Sequence, residues 1–244
     1  MKKIILCGAN GKIGHVIRNI VAADNECEIV AGVDINTEST DFPIYSEIDS
    51  VKESADVIID FSNPALLNSL LEYSAAKKIP VVIATTGFDD DQKKQIENAA
   101  TENGVFFTYN MSLGINLLAT LAKKAVDVLG NDFDIEIIEK HHNQKIDAPS
   151  GTAVTLAEGI LSNLGRKRKW VCGTTTVPEE LEIAAIRRSI VPGTHTVTYE
   201  SDVDSITMTH TAKSRRGFAL GAVLAAEFLR GKKGVYSMED LMRA

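Results

Sequence analysis

A short apolar run, a turn with glycines at every third position and an amphipathic helix, in that order, leave a chain few ways to fold. Lys3 to Cys7 reads as a short buried strand, and Gly8-Ala9-Asn10-Gly11-Lys12-Ile13-Gly14 reads as a tight turn. Ile13, Val16, Ile17, Ile20 and Val21 then recur at helical spacing and mark an inward-facing stripe. Glu28 to Val33 gives a second strand, which ends at Asp34, twenty positions beyond Gly14. This is a βαβ unit with its turn at the helix start.

Such a unit carries a dinucleotide-binding fingerprint. The glycines let the backbone approach a pyrophosphate at the positive end of the helix, and the acidic residue meets the adenosine ribose. The spacing is Gly-x-x-Gly-x-x-Gly, so Asn10 stands where a second glycine is usual and the phosphate approach differs slightly. Gly8, Ala9, Asn10, Gly11, Lys12, Ile13 and Asp34 are the expected cofactor contacts. An acidic side chain repels a 2′-phosphate, and neither Ile35 nor Asn36 offers a compensating charge. Only Lys12 in the turn could help. NADH, or dual use of NADH and NADPH, is therefore expected.

The following segments extend the same sheet. A polar stretch and a short helix near Tyr45 to Ser54 lead to a strand over Ala55 to Phe61, then a helix from Pro64 to Lys77. Pro80 to Ala84 forms a strand followed by Thr85-Thr86-Gly87-Phe88, and Val105 to Thr108 one followed by Tyr109-Asn110-Met111-Ser112. Both breaks fall at the carboxyl ends of parallel strands, where ligands sit in such sheets. A helix from Ser112 to Leu129 carries the chain into a second domain with less regular alternation. There Glu182 to Ile190 reads as a strand, and Thr194 to Glu200 with Ser205 to Thr211 as a hairpin. The fold class is α/β: a Rossmann-like parallel-sheet cofactor domain plus a smaller α+β domain with a mixed sheet.

Composition excludes several functions. The 244 residues, 44% of them hydrophobic, suffice for two modest cores. A net charge of −7 argues against nucleic acid or an anionic membrane surface, so the partner should be a small molecule. Cys7, Cys27 and Cys172 are odd in number and lack metal-ligand spacing, which suits a reducing, cytoplasmic address without disulfides or a metal. The apolar run after Met1-Lys2-Lys3 ends at Gly8, short of the roughly seven residues that a secretion signal needs. No segment reaches membrane-spanning length.

The chemistry concentrates in Glu139 to Ala153. Phe133, Ile135 and Ile137 alternate with Asp134, Glu136 and Ile138, so His141 and His142 stand just past a strand end. Lys145 follows four residues after His141, and Ser150 reads as the N-cap of a helix whose apolar positions include Ala153, Ala157, Ile160, Leu161 and Leu164. The first helical amides, at the small residues Gly151 and Thr152, suit a carboxylate. Imidazole and amine are candidate acids beside that anion site.

His141-His142-Asn143-Gln144-Lys145-Ile146-Asp147-Ala148-Pro149-Ser150-Gly151-Thr152-Ala153 resembles the signature of the dihydrodipicolinate reductase family, His-His-x-x-Lys-x-Asp-x-Pro-Ser-Gly-Thr-Ala. The resemblance implies that His141 is the catalytic histidine and Lys145 the proton donor, with His142, Gly151 and Thr152 holding substrate carboxylates. It implies reduction of a cyclic dicarboxylate on the diaminopimelate route to lysine. The Thr85-Thr86-Gly87 and Asn110-Met111-Ser112 segments resemble family motifs along the nicotinamide half of the cofactor. Ala84, Thr85, Thr86, Tyr109, Asn110 and Met111 become contact candidates, although Met111 replaces the usual aromatic residue. Members that prefer NADPH often carry a basic residue directly after the acidic one, where this chain has Ile35. Ser214 to Ala222 resembles the family's returning segment, with Arg215 beside a substrate carboxylate. The implied division is 1–112 with 213–244 for the cofactor, and 113–212 for substrate binding and oligomerisation, in a homotetramer.

Two other readings share parts of this pattern. A phosphorylating semialdehyde dehydrogenase needs a nucleophilic cysteine, for which Cys7 at the end of the first strand is badly placed. A cofactor-sensing regulator would leave the His-His-x-x-Lys cluster without a purpose. His195 and His210 alternate with apolar residues and read as packed, hydrogen-bonded histidines.

Overall fold

A computed structural model describes residues 1–38, 41–99, 103–165 and 169–244. In chain order the elements are β1 (Lys2–Cys7), α1 (Lys12–Ala22), β2 (Cys27–Val33), β3 (Ile44–Tyr45), β4 (Val57–Asp60), α2 (Leu67–Lys77), β5 (Val81–Ile83), α3 (Asp90–Ala99) and β6 (Gly104–Phe107). They continue with α4 (Leu113–Leu129), β7 (Asp134–His141), α5 (Gly151–Leu161), β8 (Lys169–Cys172), β9 (Glu180–Arg187), β10 (Thr194–Glu200) and β11 (Ser205–Thr211). α6 (Arg216–Phe228), β12 (Gly234–Tyr236) and α7 (Met238–Arg243) complete the chain.

Two compact units result, Met1–Leu113 with Arg215–Ala244, and Gly114–Ser214. The first is built on a seven-stranded sheet of order β12-β6-β5-β4-β1-β2-β3 in which every pairing is parallel. Parallel strands are covered on both faces, and β1 shows why the sequence obeys. Ile4 and Leu6 enter the core beneath α1, α6 and α7, while Ile5 and Cys7 enter the one beneath α2 and α3. Each fully buried Ile or Leu side chain contributes roughly 1.5–3 kcal/mol, so a strand apolar on both faces is stable only at the centre of such a sheet.

The second unit has a mixed five-stranded sheet, β11-β10-β7-β9-β8. β10 runs antiparallel to both β11 and β7, and β9 runs parallel to β7 and β8. One face is buried: Ile135 and Ile137 of β7, Leu181 and Ile183 of β9, and Val197 and Tyr199 of β10 pack with α4 and α5.

Several sequence expectations need correction. The helix expected over Tyr45 to Ser54 is a two-residue strand, pairing Tyr45 with Val33, followed by one helical turn at Ile48–Ser50. The strand expected over Glu182 to Ile190 runs instead over Glu180–Arg187 and gives way to a turn in which Ser189 adopts a φ of 52°. β7 does not end before the paired histidines but includes His141 as its last residue. α3, β8 and β12 were not foreseen. α3 buries only Ile96 among otherwise polar residues, and the two strands have four and three residues.

Candidate active site

In the first unit the glycine turn joins β1 to α1 with almost no spare room. Gly8 has a φ of 75°, and a Cβ on Gly14 would lie 2.2 Å from the Gly8 carbonyl oxygen and 2.6 Å from that of Ala9. Only glycine lets the helix start so close to the strand end. Asn10 tethers this turn to the loop after β2. Its backbone amide donates to Asp34 Oδ2 (2.9 Å), and its side-chain amide donates to the carbonyls of Asn36 (2.7 Å) and Glu38 (3.0 Å). Arg18 in turn donates to Asn10 Oδ1 (3.0 Å) and stacks on Phe42. The asparagine that replaces the usual glycine thus braces the acidic loop. Lys12 is exposed at the start of α1.

At the carboxyl ends of β4, β5 and β6 a cavity of about 340 Å³ is lined by Ile13, Ala84, Thr85, Thr86, Tyr109, Asn110 and Met111, together with Phe61, Ser62 and Phe218. The first seven are residues that the sequence singled out; the last three were missed. Ser62 had a signal, since it follows a strand end as Thr85 and Asn110 do. The Thr85 hydroxyl is buried beside the Asp60 carboxylate. Burial raises the Asp60 pKa, and the Ser62 and Thr85 hydroxyls beside it only partly offset this. The turn, the anchored Asp34 and this cavity fit a dinucleotide. Cys7 is buried, and desolvation together with the Asp60 charge raises its thiol pKa, so it is no nucleophile.

In the second unit the inward parity of β7 continues past Ile135 and Ile137 to Glu139 and His141. Glu139 is wholly buried yet charged. Arg187 of β9 donates to both its oxygens (2.8 and 3.0 Å), the Ser150 amide donates to Oε1 (3.1 Å), and His141 Nδ1 lies in hydrogen-bond contact with Oε2. Burial alone would raise the Glu139 pKa, but the donors from Arg187 and His141 more than offset it and hold the carboxyl below its usual range. Arg187 also donates to the carbonyls of Lys145 (3.3 Å) and Asp147, tying down the loop that bears the lysine.

Ser150 caps α5 as its sequence indicates, its hydroxyl accepting from the Ala153 amide (3.2 Å). The same hydroxyl meets His195 Nε2 at 3.2 Å, and the His195 ring packs edge-on against His141 with centroids 5.1 Å apart. Burial lowers the pKa of both imidazoles, that of His195 to about 4. The expected packed role of His195 is borne out, with one bond to Ser150, while its Nδ1 has no partner. His210 lies beneath α4, where a Cβ on Gly114 would approach its ring within 2.7 Å.

Lys145 Nζ donates to Asp147 Oδ1 (2.8 Å). Burial alone would raise the Asp147 pKa, but this pairing, with a smaller contribution from the Gly151 backbone, outweighs it and holds the carboxyl below its usual range. A carboxylate of the chain itself therefore pairs with the lysine just ahead of α5. His142 is half-buried with an unpartnered Nδ1, Thr152 lies in the first turn of α5, and nothing approaches a Cβ position on Gly151. His141, His142, Lys145, Gly151 and Thr152 are all brought together on one loop and helix start. Arg215 belongs to the first unit, exposed ahead of α6. Glu139 and Arg187 are the charged residues that sequence reasoning did not assign.

Two family models cover nearly the whole chain, dihydrodipicolinate reductase N-terminus over residues 2–111 and C-terminus over residues 114–242. The chain belongs to the dihydrodipicolinate reductase family. It is 47% identical to the 4-hydroxy-tetrahydrodipicolinate reductase of Caldanaerobacter subterraneus subsp. tengcongensis, covering 100% of this chain and 99% of that protein. It is 41% identical to the Clostridium tetani enzyme of that name, covering 100% and 98%. Among solved dihydrodipicolinate reductases, the dipicolinate-bound enzyme from Paenisporosarcina sp. TG-14 shares the fold, with a TM-score of 0.83 at 24% identity over 97% of each chain. No helix among the described residues of this family member is long and apolar enough to cross a membrane.

Proposed function

We propose that the chain is an NAD(P)H-dependent reductase that converts 4-hydroxy-tetrahydrodipicolinate to tetrahydrodipicolinate on the diaminopimelate route to lysine. The reaction takes in a hydride and a proton and releases water. When bound, the dinucleotide supplies the hydride. Residues of Met1–Leu113 with Arg215–Ala244 bind it: the Gly8–Ile13 turn holds the pyrophosphate, Asp34 the ribose, and Ala84, Thr85, Thr86, Tyr109, Asn110 and Met111 the nicotinamide half. NADH or dual use is favoured by the anchored Asp34 and by the absence of a cation at Ile35 and Asn36.

The observation that carries the substrate assignment is the Lys145–Asp147 ion pair at 2.8 Å, in the loop just ahead of the start of α5. The loop already pairs its lysine with a carboxylate next to a helix start. A substrate carboxylate takes that place on Gly151 and Thr152, with His142 and Arg215 as further partners, and frees Lys145 to deliver the proton. His141 assists as acid or base. Self-association into a homotetramer is supported by the outer sheet face, which carries the exposed Ile186 of β9 and, across β7, the Thr196–Thr209 and Thr198–Thr207 hydroxyl pairs. Three free thiols suit a cytoplasmic, reducing address.

The test follows NADH absorbance with freshly generated substrate, comparing the unaltered protein with Lys145→Ala. Turnover is expected to fall about a hundredfold or more while NADH affinity changes little. Equal losses in turnover and NADH affinity would assign Lys145 to the cofactor or the fold instead.

A further inference from the structure

Glu139 is fully buried, and every group that meets it is a donor or a ring nitrogen: Arg187 twice, the Ser150 amide and His141 Nδ1. An ionised carboxylate only accepts hydrogen bonds, so the imidazole nitrogen facing it must carry a hydrogen. We infer that Glu139, clamped by Arg187, is the positioning residue of His141: it fixes the Nδ1–H tautomer and leaves the Nε2 lone pair for the ligand. This rests on the role for His141 given above and sharpens it. A neutral His141 meets the substrate as an acceptor at Nε2, and it can donate there only after taking up a proton.

The surroundings agree. Nε2 faces Gly193, where a Cβ would stand 3.0 Å away, so the absence of a side chain keeps that nitrogen clear. Arg187 performs a second task with the same guanidinium, donating to the carbonyls of Lys145 and Asp147. One ion pair thereby sets both the histidine tautomer and the path of the lysine loop. A purely structural ion pair needs neither the ring contact nor the two loop carbonyls, and burial makes it a costly way to gain stability alone.

The charged and titratable groups around His141 are Glu139 on its own strand, Arg187 on β9, Lys145 in the following loop and His195 on β10. Glu139 raises the basicity of the ring, whereas Arg187 and Lys145 lower it. Replacing the carboxylate by an amide removes the raising group and permits either tautomer.

The test is long-range ¹H–¹⁵N correlation of the full-length protein labelled with ¹⁵N-histidine at pH 7.5, with the His141 signals assigned through His141→Asn. Unaltered protein is expected to show a protonated Nδ1 and an unprotonated Nε2 at His141. Glu139→Gln is expected to lose that pattern, to shift the acidic limb of kcat/KM to lower pH, and to reduce kcat about a hundredfold with KM for NADH little changed, as tautomer loss does in other carboxylate–histidine pairs. Should the arginine left without its carboxylate destabilise that variant, Glu139→Gln with Arg187→Met removes both charges, and the same tautomer loss is expected. A proton on Nε2 in the unaltered protein overturns the inference outright, as does a folded Glu139→Gln protein that keeps both tautomer and pH limb. Inactivity of the unaltered protein towards the dicarboxylate would instead sink the functional reading, and the tautomer would remain measurable.

Discussion

The Asn10 amide donates to Asp34 Oδ2 at 2.9 Å, so the glycine turn and the end of the second strand are joined through one carboxylate. The other oxygen of Asp34 accepts from the Asn36 amide at 3.0 Å. With both oxygens engaged by backbone, the side chain is held in one orientation, and the proposed role sets it against the adenosine ribose. A fixed negative charge there tolerates a 2′-hydroxyl and repels a 2′-phosphate.

Replacing Asp34 by Ser should therefore change cofactor choice rather than the fold. The NADPH-to-NADH affinity ratio should rise about tenfold, equivalent to roughly 1.4 kcal/mol. Calorimetric titration of both dinucleotides into both proteins measures it. An unchanged ratio would mean that Asp34 faces no part of the adenosine ribose.

Gly14→Ala should be far more damaging than its one carbon suggests. The new Cβ meets carbonyl oxygens of the Gly8–Ala9 backbone at 2.2 and 2.6 Å, and neither can move without pulling α1 off the end of β1. The expected cost is on the order of 2–4 kcal/mol, with loss of dinucleotide binding. Urea unfolding beside a fluorescence titration with NADH checks both. Wild-type stability with wild-type affinity would show that the turn is looser than its contacts indicate.

Gly193→Ala isolates the site from the fold. The Gly193 backbone does not have a positive φ, so alanine is tolerated locally, yet its Cβ would stand 3.0 Å from His141 Nε2. The ring is tethered at Nδ1 by Glu139 and can yield only slightly. A loss of roughly ten- to hundredfold in kcat is expected, with little change in the urea midpoint. Full activity in this variant would argue that Nε2 is not the working nitrogen.

Much of this was legible in sequence, and what was not has physical causes. Strands apolar on both faces, the glycine turn and the amphipathic stripe of α1 are repeated local signals, and they gave the parallel sheet directly. α3 escaped because a single anchor, Ile96, makes no periodicity, and β12 because three residues make no pattern. At the site, the parity of Ile135 and Ile137 already pointed Glu139 inward, so that residue was readable. Arg187 was not: it reaches Glu139 from 48 positions away, and only the β7–β9 pairing of His141 with Arg187 brings it there. Nor could spacing reveal that Lys145 would pair with Asp147 of its own loop.

The buried His195 makes a prediction about stability and pH whose sign can be worked out. Its pKa falls from an ordinary 6.5 to about 4, chiefly through desolvation and then through the neighbouring His141. Above pH 6.5 the imidazole is neutral whether the chain is folded or not, and its contribution is fully present. Between pH 6.5 and 4 the unfolded chain takes up a proton that the folded one refuses, so stability falls as pH falls. The slope approaches about 1.36 kcal/mol per pH unit, or roughly 3 kcal/mol over the window. His141 and His210, also lowered by burial, act in the same direction, whereas the lowered Glu139 carboxyl acts below its ordinary value of 4.5. His195→Gln should cost about 1–2 kcal/mol at pH 7 through the lost Ser150 contact, and should then lose less stability than the parent on going to pH 5. Urea unfolding at pH 7, 6 and 5 measures the two slopes. Parallel lines would mean that His195 takes up its proton in the folded protein near the ordinary pKa, and that its ring is less enclosed than the contacts with Ser150 and His141 imply.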